Sequence, residues 1–461
     1  MSEQFKDQGG VATSNPSRFM RWATSRVMSK LFTDQSMAKK RRAAEATRQQ
    51  EGRPHRVEYF HQVDDGYSHL AASLLTQLQA RYDIELICHL VAPPAGSNVA
   101  EPDLLARLSR YDAQLIAPGY GLSFPHHPAQ PSEICVDLAT RVLAAQSQAN
   151  FINLAESVGA ALWGDDDARL RRLAEEHGAL DSADAEKKVE QGTVRRKELK
   201  HYSGAMFFYE GEWYWGVDRL HHLEARLRDL GLDKNPKASP VAPRPEVDLQ
   251  GVRDNGSLTL EVYASLRSPY TAVIFDRAVA VAREAGVSID LKPVLPMVMR
   301  GVPATREKGM YIFMDAAREA RSQGLDYSKF YDPIGEPARR CYSLFPWAET
   351  QGKGIELVSS FLRHAFVLGI NTNTTRGLKQ VVEAAGLSWQ DAKGHLGSTG
   401  WEQILETNRQ QMYASGLWGV PSFRLLNAEG DELLAVWGQD RLWVVAREIV
   451  RALEPTHVGA T

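Results

Sequence analysis

Cysteine is scarce in this chain: Cys88, Cys135 and Cys341 are the only three in 461 residues. They are too few and too far apart for a disulfide framework, and none belongs to a C-x-x-C pair, which excludes dithiol–disulfide exchange and a cysteine-based structural zinc site. They read as buried or half-buried free thiols in a reducing compartment, so a cytoplasmic location is expected. Long apolar runs are absent too, and with them any transmembrane segment. Charge bias is missing: 54 basic residues face 57 acidic ones, for a net charge of −3. Such a balance gives no reason to expect a nucleic-acid partner. The N-terminus lacks the charged, apolar, small-residue order of a secretory signal. His126–His127 and His221–His222 are adjacent pairs without a third ligand at useful spacing, so no metal is assigned.

What is present is an ordinary globular composition, 43% hydrophobic and 24% charged, in a length that implies two or three domains. Residues 1–53 form a basic arm, partly helical or disordered. Phe19, Trp22, Val27, Leu31 and Phe32 alternate there with Arg18, Arg21, Arg26 and Lys30, ahead of the run Lys39, Lys40, Arg41 and Arg42. Two readings stand: an arm packing one amphipathic turn on the body, or a segment docking a partner or a membrane surface.

A repeat organises the rest. WGVDRL at Trp215–Leu220 recurs as WGQDRL at Trp437–Leu442, and each opens a segment with helical spacing. The first reads Leu220, Leu223, Leu227, Leu230 and the second Leu442, Val445, Ile449, Leu453. Upstream, Ser203–Phe208 aligns with Trp418–Phe423. Each half opens on a strand, a helix and a strand: Val57–His61, Tyr67–Tyr82 and Ile84–Leu90, then Leu258–Tyr263, Tyr270–Ala285 and Val287–Val294. Between the halves, residues 235–256 carry Pro236, Pro240, Pro243 and Pro245 and read as a semi-rigid linker. Domains are expected at 54–234 and 257–454, with a tail at 455–461. The fold class is α/β, with an all-helical insertion in each half, about Ala304 to Ser415 in the second.

Four motifs follow one another in the second half: Ser268-Pro269-Tyr270 after a strand, Lys308-Gly309-Met310-Tyr311, Gly419-Val420-Pro421, and Trp437 to Leu442. In this order they resemble the kappa-class glutathione transferases and 2-hydroxychromene-2-carboxylate isomerases, a branch of the DsbA-like thioredoxin superfamily. The resemblance spans Leu258 to about Leu453 and implies two tandem thioredoxin-like domains. It also implies glutathione as cofactor and a small, aromatic, electrophilic substrate. By that resemblance Ser268, where redox relatives hold a cysteine, donates a hydrogen bond to the glutathione thiolate. A helix N-terminus beside it lowers the thiol pKa further. Serine before proline is equally a helix cap needing no chemistry.

The resemblance makes Pro421 cis, presenting the Val420 backbone to the ligand. Trans proline at the start of an edge strand is the plainer alternative. Gln439 and Asp440 fall where relatives hold the γ-glutamyl end, although Asp440 also suits a helix N-terminus without any ligand. Lys308 falls where relatives approach the ligand carboxylate, and Arg300 or Arg306 would serve as well. Pro269 and Tyr270 complete the expected cofactor-binding set. The segment Met299–Ala304 is shorter than in relatives and lacks their asparagine. Trp401, Trp418, Trp437 and Phe423 read either as a pocket for an aromatic substrate or as core.

The first half is eroded. Asp65 replaces the serine and Met206 the cis-proline, so that domain is expected to be degenerate. A carboxylate there caps a helix well but repels a thiolate. Isomerase and transferase both remain open, as do a homodimer and a non-catalytic scaffold.

Overall fold

The computed structural model describes residues 15–302 and 304–454. The chain divides into two compact units, residues 38–245 and residues 246–461 with 1–37. The expected tail and the first 14 residues of the arm lie outside the described residues, as does Pro303.

The expected arm is two helices, α1 (Arg18–Phe32) and α2 (Asp34–Gln50), and the boundary between units falls within α2. The first unit then runs β1 (Arg56–His61), α3 (Gly66–Ala72), α4 (Leu75–Arg81) and β2 (Glu85–Leu90). The single helix expected at Tyr67–Tyr82 is interrupted at Ser73, whose hydroxyl bonds back to the His69 carbonyl at 3.1 Å. A helical stretch follows, α5 (Pro102–Ile116), α6 (Glu133–Ala144), α7 (Gln148–Trp163), α8 (Asp167–His177) and α9 (Ser182–Glu198). The unit closes on β3 (Met206–Tyr209), β4 (Glu212–Trp215) and α10 (Gly216–Asp229).

The second unit repeats the order: β5 (Thr259–Ala264), α11 (Pro269–Ala285) and β6 (Ser288–Pro293). Its helical stretch is α12 (Arg306–Ser322), α13 (Glu336–Thr350), α14 (Gly354–Leu362), α15 (Thr375–Ala384), α16 (Trp389–Ala392) and α17 (Trp401–Ala414). It ends on β7 (Ser422–Leu426), β8 (Glu432–Trp437) and α18 (Leu442–Leu453).

Both sheets have four strands in the same arrangement, β2-β1-β3-β4 and β6-β5-β7-β8. The first two strands in sequence are parallel, as a strand–helix–strand crossover requires, and the remaining pairings are antiparallel. Five successive residues of β1 and five of β5 are buried, which needs cover on both faces of each sheet. Inside that cover each leading strand holds one glutamate at its third position. Glu58 pairs with Arg195 at 2.6 Å, and Glu261 with Arg424 at 2.6 Å. The helix after each leading strand also carries a matched pair: Tyr67 donates to Asp112 at 2.8 Å and Tyr270 to Asp315 at 2.8 Å.

Candidate functional site

Strand β5 delivers the chain to Ser268, which adopts extended backbone and caps α11, with Pro269 at the first helical position. Proline suits that position because it lacks an N–H that would have no partner there. The Ser268 hydroxyl accepts from the Thr271 amide at 3.1 Å and donates to the Val420 carbonyl at 3.2 Å. Two tyrosines fix this helix start. Tyr327 donates to the Pro269 carbonyl at 2.9 Å, and Tyr342 accepts from the Leu266 amide at 3.0 Å.

Across from Ser268, the Val420–Pro421 peptide is cis. The Pro421 carbonyl accepts from the Gly438 amide at 2.9 Å, tying the start of β7 to the Trp437–Leu442 motif. Gly419 has a packing reason to be glycine: a Cβ there would fall 2.3 Å from the Trp437 ring. The rings of Trp437 and Trp418 lie 4.7 Å apart.

The structure thus brings Ser268, Pro269, Val420 and Pro421 together. Tyr270 leads away to α12, where the buried Asp315 receives its hydroxyl and Arg318 pairs with the same carboxylate. Lys308 stands seven residues before Asp315 on α12, and therefore on the same helix face. Lys308 is half-buried, and desolvation lowers its ammonium pKa. Arg306 is exposed, while Arg300 donates to the Leu295 carbonyl at 3.2 Å and its pKa is lowered by burial.

Gln439 turns inward. It is 2% exposed, and its amide donates to the buried Glu319 at 2.8 Å, while its carbonyl oxygen has no hydrogen-bond partner. Asp440 forms an ion pair with Arg441 at 3.3 Å. Trp401, Trp418 and Phe423 are buried, and Trp401 stacks on Tyr342; only Trp437 of the four aromatic residues is half-buried. These rings are core side chains more than pocket walls. A cleft of about 400 Å³ does lie along α11, between Ala272, Phe275, Arg277, Gln323, Leu362 and Arg363, and it is lined by neither Ser268 nor the tryptophans.

Thr271 is a residue that sequence reasoning missed. It is fully buried at the third position of α11, and its hydroxyl has no hydrogen-bond partner. The first unit shows why. There Ser68 holds the same position in α3, and its hydroxyl accepts from the Ala205 amide at 2.9 Å and donates to Asp65 at 2.8 Å. Asp65, the cap of α3, also accepts from the Ser68 amide at 2.9 Å and the Ser109 hydroxyl at 2.6 Å, and burial raises its pKa.

The residue at the place of Pro421 is Ala205, which corrects the expectation that Met206 stands there. Met206 pairs with Trp215 as Ser422 pairs with Trp437. The Gly216 amide bonds the Ala205 carbonyl at 2.7 Å, as Gly438 bonds Pro421. The alignment of Ser203–Phe208 with Trp418–Phe423 is therefore out by one residue. Ala205 offers Ser68 an N–H, whereas Pro421 has none to offer Thr271.

Residues 259–450 match the family described as the DSBA-like thioredoxin domain. The C-terminal half contains a DsbA-like thioredoxin domain at residues 259–450. No curated protein matches the chain significantly. Solved structures similar to it include a probable DsbA oxidoreductase from Streptomyces coelicolor, 18% identical over 44% of this chain and 94% of that one, with a TM-score of 0.34. Another is a 2-hydroxychromene-2-carboxylate isomerase, 18% identical over 42% of this chain and 95% of that one, with a TM-score of 0.36. In the DsbA-like domain here, the one cysteine is Cys341 on α13, buried, with its thiol pKa raised by desolvation, and serine occupies the helix start.

Proposed function

We propose that the DsbA-like domain binds glutathione and is a glutathione-dependent isomerase or transferase of the 2-hydroxychromene-2-carboxylate isomerase and kappa-class transferase branch. The observation that carries this reading is the placement of the Ser268 hydroxyl between the start of α11 and the Val420 backbone. When bound, glutathione would supply a thiolate nucleophile for an electrophilic carbon of a small aromatic substrate.

The residues present suit an anionic thiol ligand. Ser268 turns its proton from the Val420 carbonyl to the ligand sulfur, and the N-terminus of the 17-residue α11 favours negative charge at the same point. Val420 offers backbone groups to an extended peptide. Lys308 is the cation for a ligand carboxylate, and its partial burial strengthens such a pairing. Gln439 turns inward to Glu319 instead of reaching out, so it has no part in holding the ligand here. Asp440 would add negative charge on that side.

The matched sheets, the two Tyr–Asp pairs and the two Glu–Arg pairs support descent of both units from a duplicated domain, with the linker at residues 235–256. On this reading the first unit has lost its site, because Asp65 places a carboxylate where a thiolate would lie.

Calorimetric titration of glutathione into the wild type and a Ser268→Ala variant tests the proposal, with thiolate absorbance followed on the same samples. Saturable binding with thiolate formation that the variant loses supports it and leads to a screen of electrophiles. Absence of binding at millimolar glutathione would leave a non-catalytic thioredoxin-fold scaffold as the account of the domain.

A further inference from the structure

We infer that the outer face of α1 is a contact surface for an anionic lipid membrane. The helix is anchored by its inner face to the unit that holds the DsbA-like domain. Arg21 is buried and donates to the carbonyls of Asp332 and Ile334. Ser25 accepts from the Asp332 amide at 3.0 Å, Ser29 donates to the Phe330 carbonyl at 2.8 Å, and Phe32 packs against Phe313 and Phe330. Residues 21, 25, 28 and 32 thus form one stripe, and the rest of the helix is held with its other side outward.

That outward side is not an ordinary solvated face. Phe19 is 73% exposed, Val27 58%, Met20 53% and Trp22 48%. The Phe19 and Trp22 rings lie 6.0 Å apart, and the Arg26 guanidinium sits 5.9 Å from the centre of Trp22. Arg18, Arg26 and Lys30 are exposed among them, and α1 contains no acidic residue. This concentration of positive charge stands out in a chain whose net charge is −3.

Aromatic and aliphatic side chains beside basic ones, with no acidic residue on the helix itself, complement the headgroup region of a bilayer rich in anionic lipid. The apolar groups enter the interface, and the cations remain at the phosphates. A hydrophobic protein partner would match the rings but would leave three cations to desolvate. The short apolar stripe makes such contact peripheral and reversible. No helix among the described residues is long and apolar enough to cross a membrane.

The test is co-sedimentation of the full chain with vesicles of phosphatidylcholine alone or with added phosphatidylglycerol. Wild type is expected to bind the anionic vesicles, to release them at high salt, and to ignore the neutral ones. Arg26→Glu with Lys30→Glu, and separately Phe19→Ser with Trp22→Ser, should each weaken binding by at least about tenfold. All four positions are exposed, so both variants should keep the wild-type circular dichroism and melting temperature. Equal binding to neutral and anionic vesicles would overturn the inference, as would anionic binding that survives the charge reversal. A lipid-free dimer that the Phe19/Trp22 variant converts to monomer would also overturn it, by showing a second copy on this face.

Discussion

The hydroxyl of Ser268 lies 3.2 Å from the carbonyl oxygen of Val420, so one side chain both caps α11 and reaches the residue before Pro421. On the proposed function, stability and glutathione binding would meet at a single oxygen, and substitution can separate them. Ser268→Ala should lose about 1 kcal/mol of stability through the missing cap, together with any glutathione thiolate absorbance. Ser268→Asp should keep the cap and still abolish the thiolate by repulsion, as Asp65 is argued to do in the first unit. Denaturant titration and ultraviolet absorbance of the two variants check this.

Thr271 and Ser68 should respond oppositely to loss of their hydroxyls. Thr271→Val removes a buried oxygen that has no partner, so it should be neutral or stabilising by about 1 kcal/mol. Ser68→Ala leaves the Ala205 and Gln62 amides without their acceptor, while Asp65 keeps the residue-68 amide, and should cost about 2 kcal/mol. Urea unfolding followed by hydrogen exchange, which resolves the two units, distinguishes these effects.

Gly419→Ala should be among the most damaging small substitutions in the second unit. The new methyl group would sit 2.3 Å from the Trp437 ring and displace it from Trp418. Overpacking of this kind costs about 1–3 kcal/mol. Near-ultraviolet circular dichroism of the tryptophans should change with it.

The first unit should be acid-sensitive in a defined direction. Burial depresses His61 from 6.5 to about 3 and His69 from 6.5 to about 4. Below pH 6.5 the unfolded chain takes up protons at these rings while the folded chain does not, so stability falls as pH drops towards 4. Glu58, held at about 2 by Arg195 and His89 against the cost of burial, extends the loss below 4.5. Denaturant midpoints of the unit between pH 8 and pH 4 measure the slope, and His61→Asn with His69→Asn should flatten its upper part.

Much of this architecture was legible in the residues. The two W-G-x-D-R-L motifs mark matching places after the last strand of each sheet, and Ser-Pro marks the start of α11 because cap and first-position preferences are local. Register was another matter. Ala205, Met206, Phe207 and Phe208 are all compatible with a strand, and one step along them changes neither hydropathy nor turn chemistry. Only the cross-strand bonds to Trp215 and Gly216 select the step, and they put Ala205 at the place of Pro421. Gln439 was read as a ligand contact, yet its side chain meets Glu319, 120 residues away, a contact that no local pattern encodes. Arg21 escaped for a similar reason: a guanidinium can lie in an interior when backbone carbonyls receive it.

The carboxylate of Asp65 gives the first unit a built-in occupant. A helix mouth that attracts anions is answered there from within the chain, by an oxygen pair already shared between Ser68 and Ser109. Such a mouth has no vacancy for a guest, and removing the resident charge would be the way to reopen it. The second unit is capped by an uncharged serine, so its helix start carries no such resident charge.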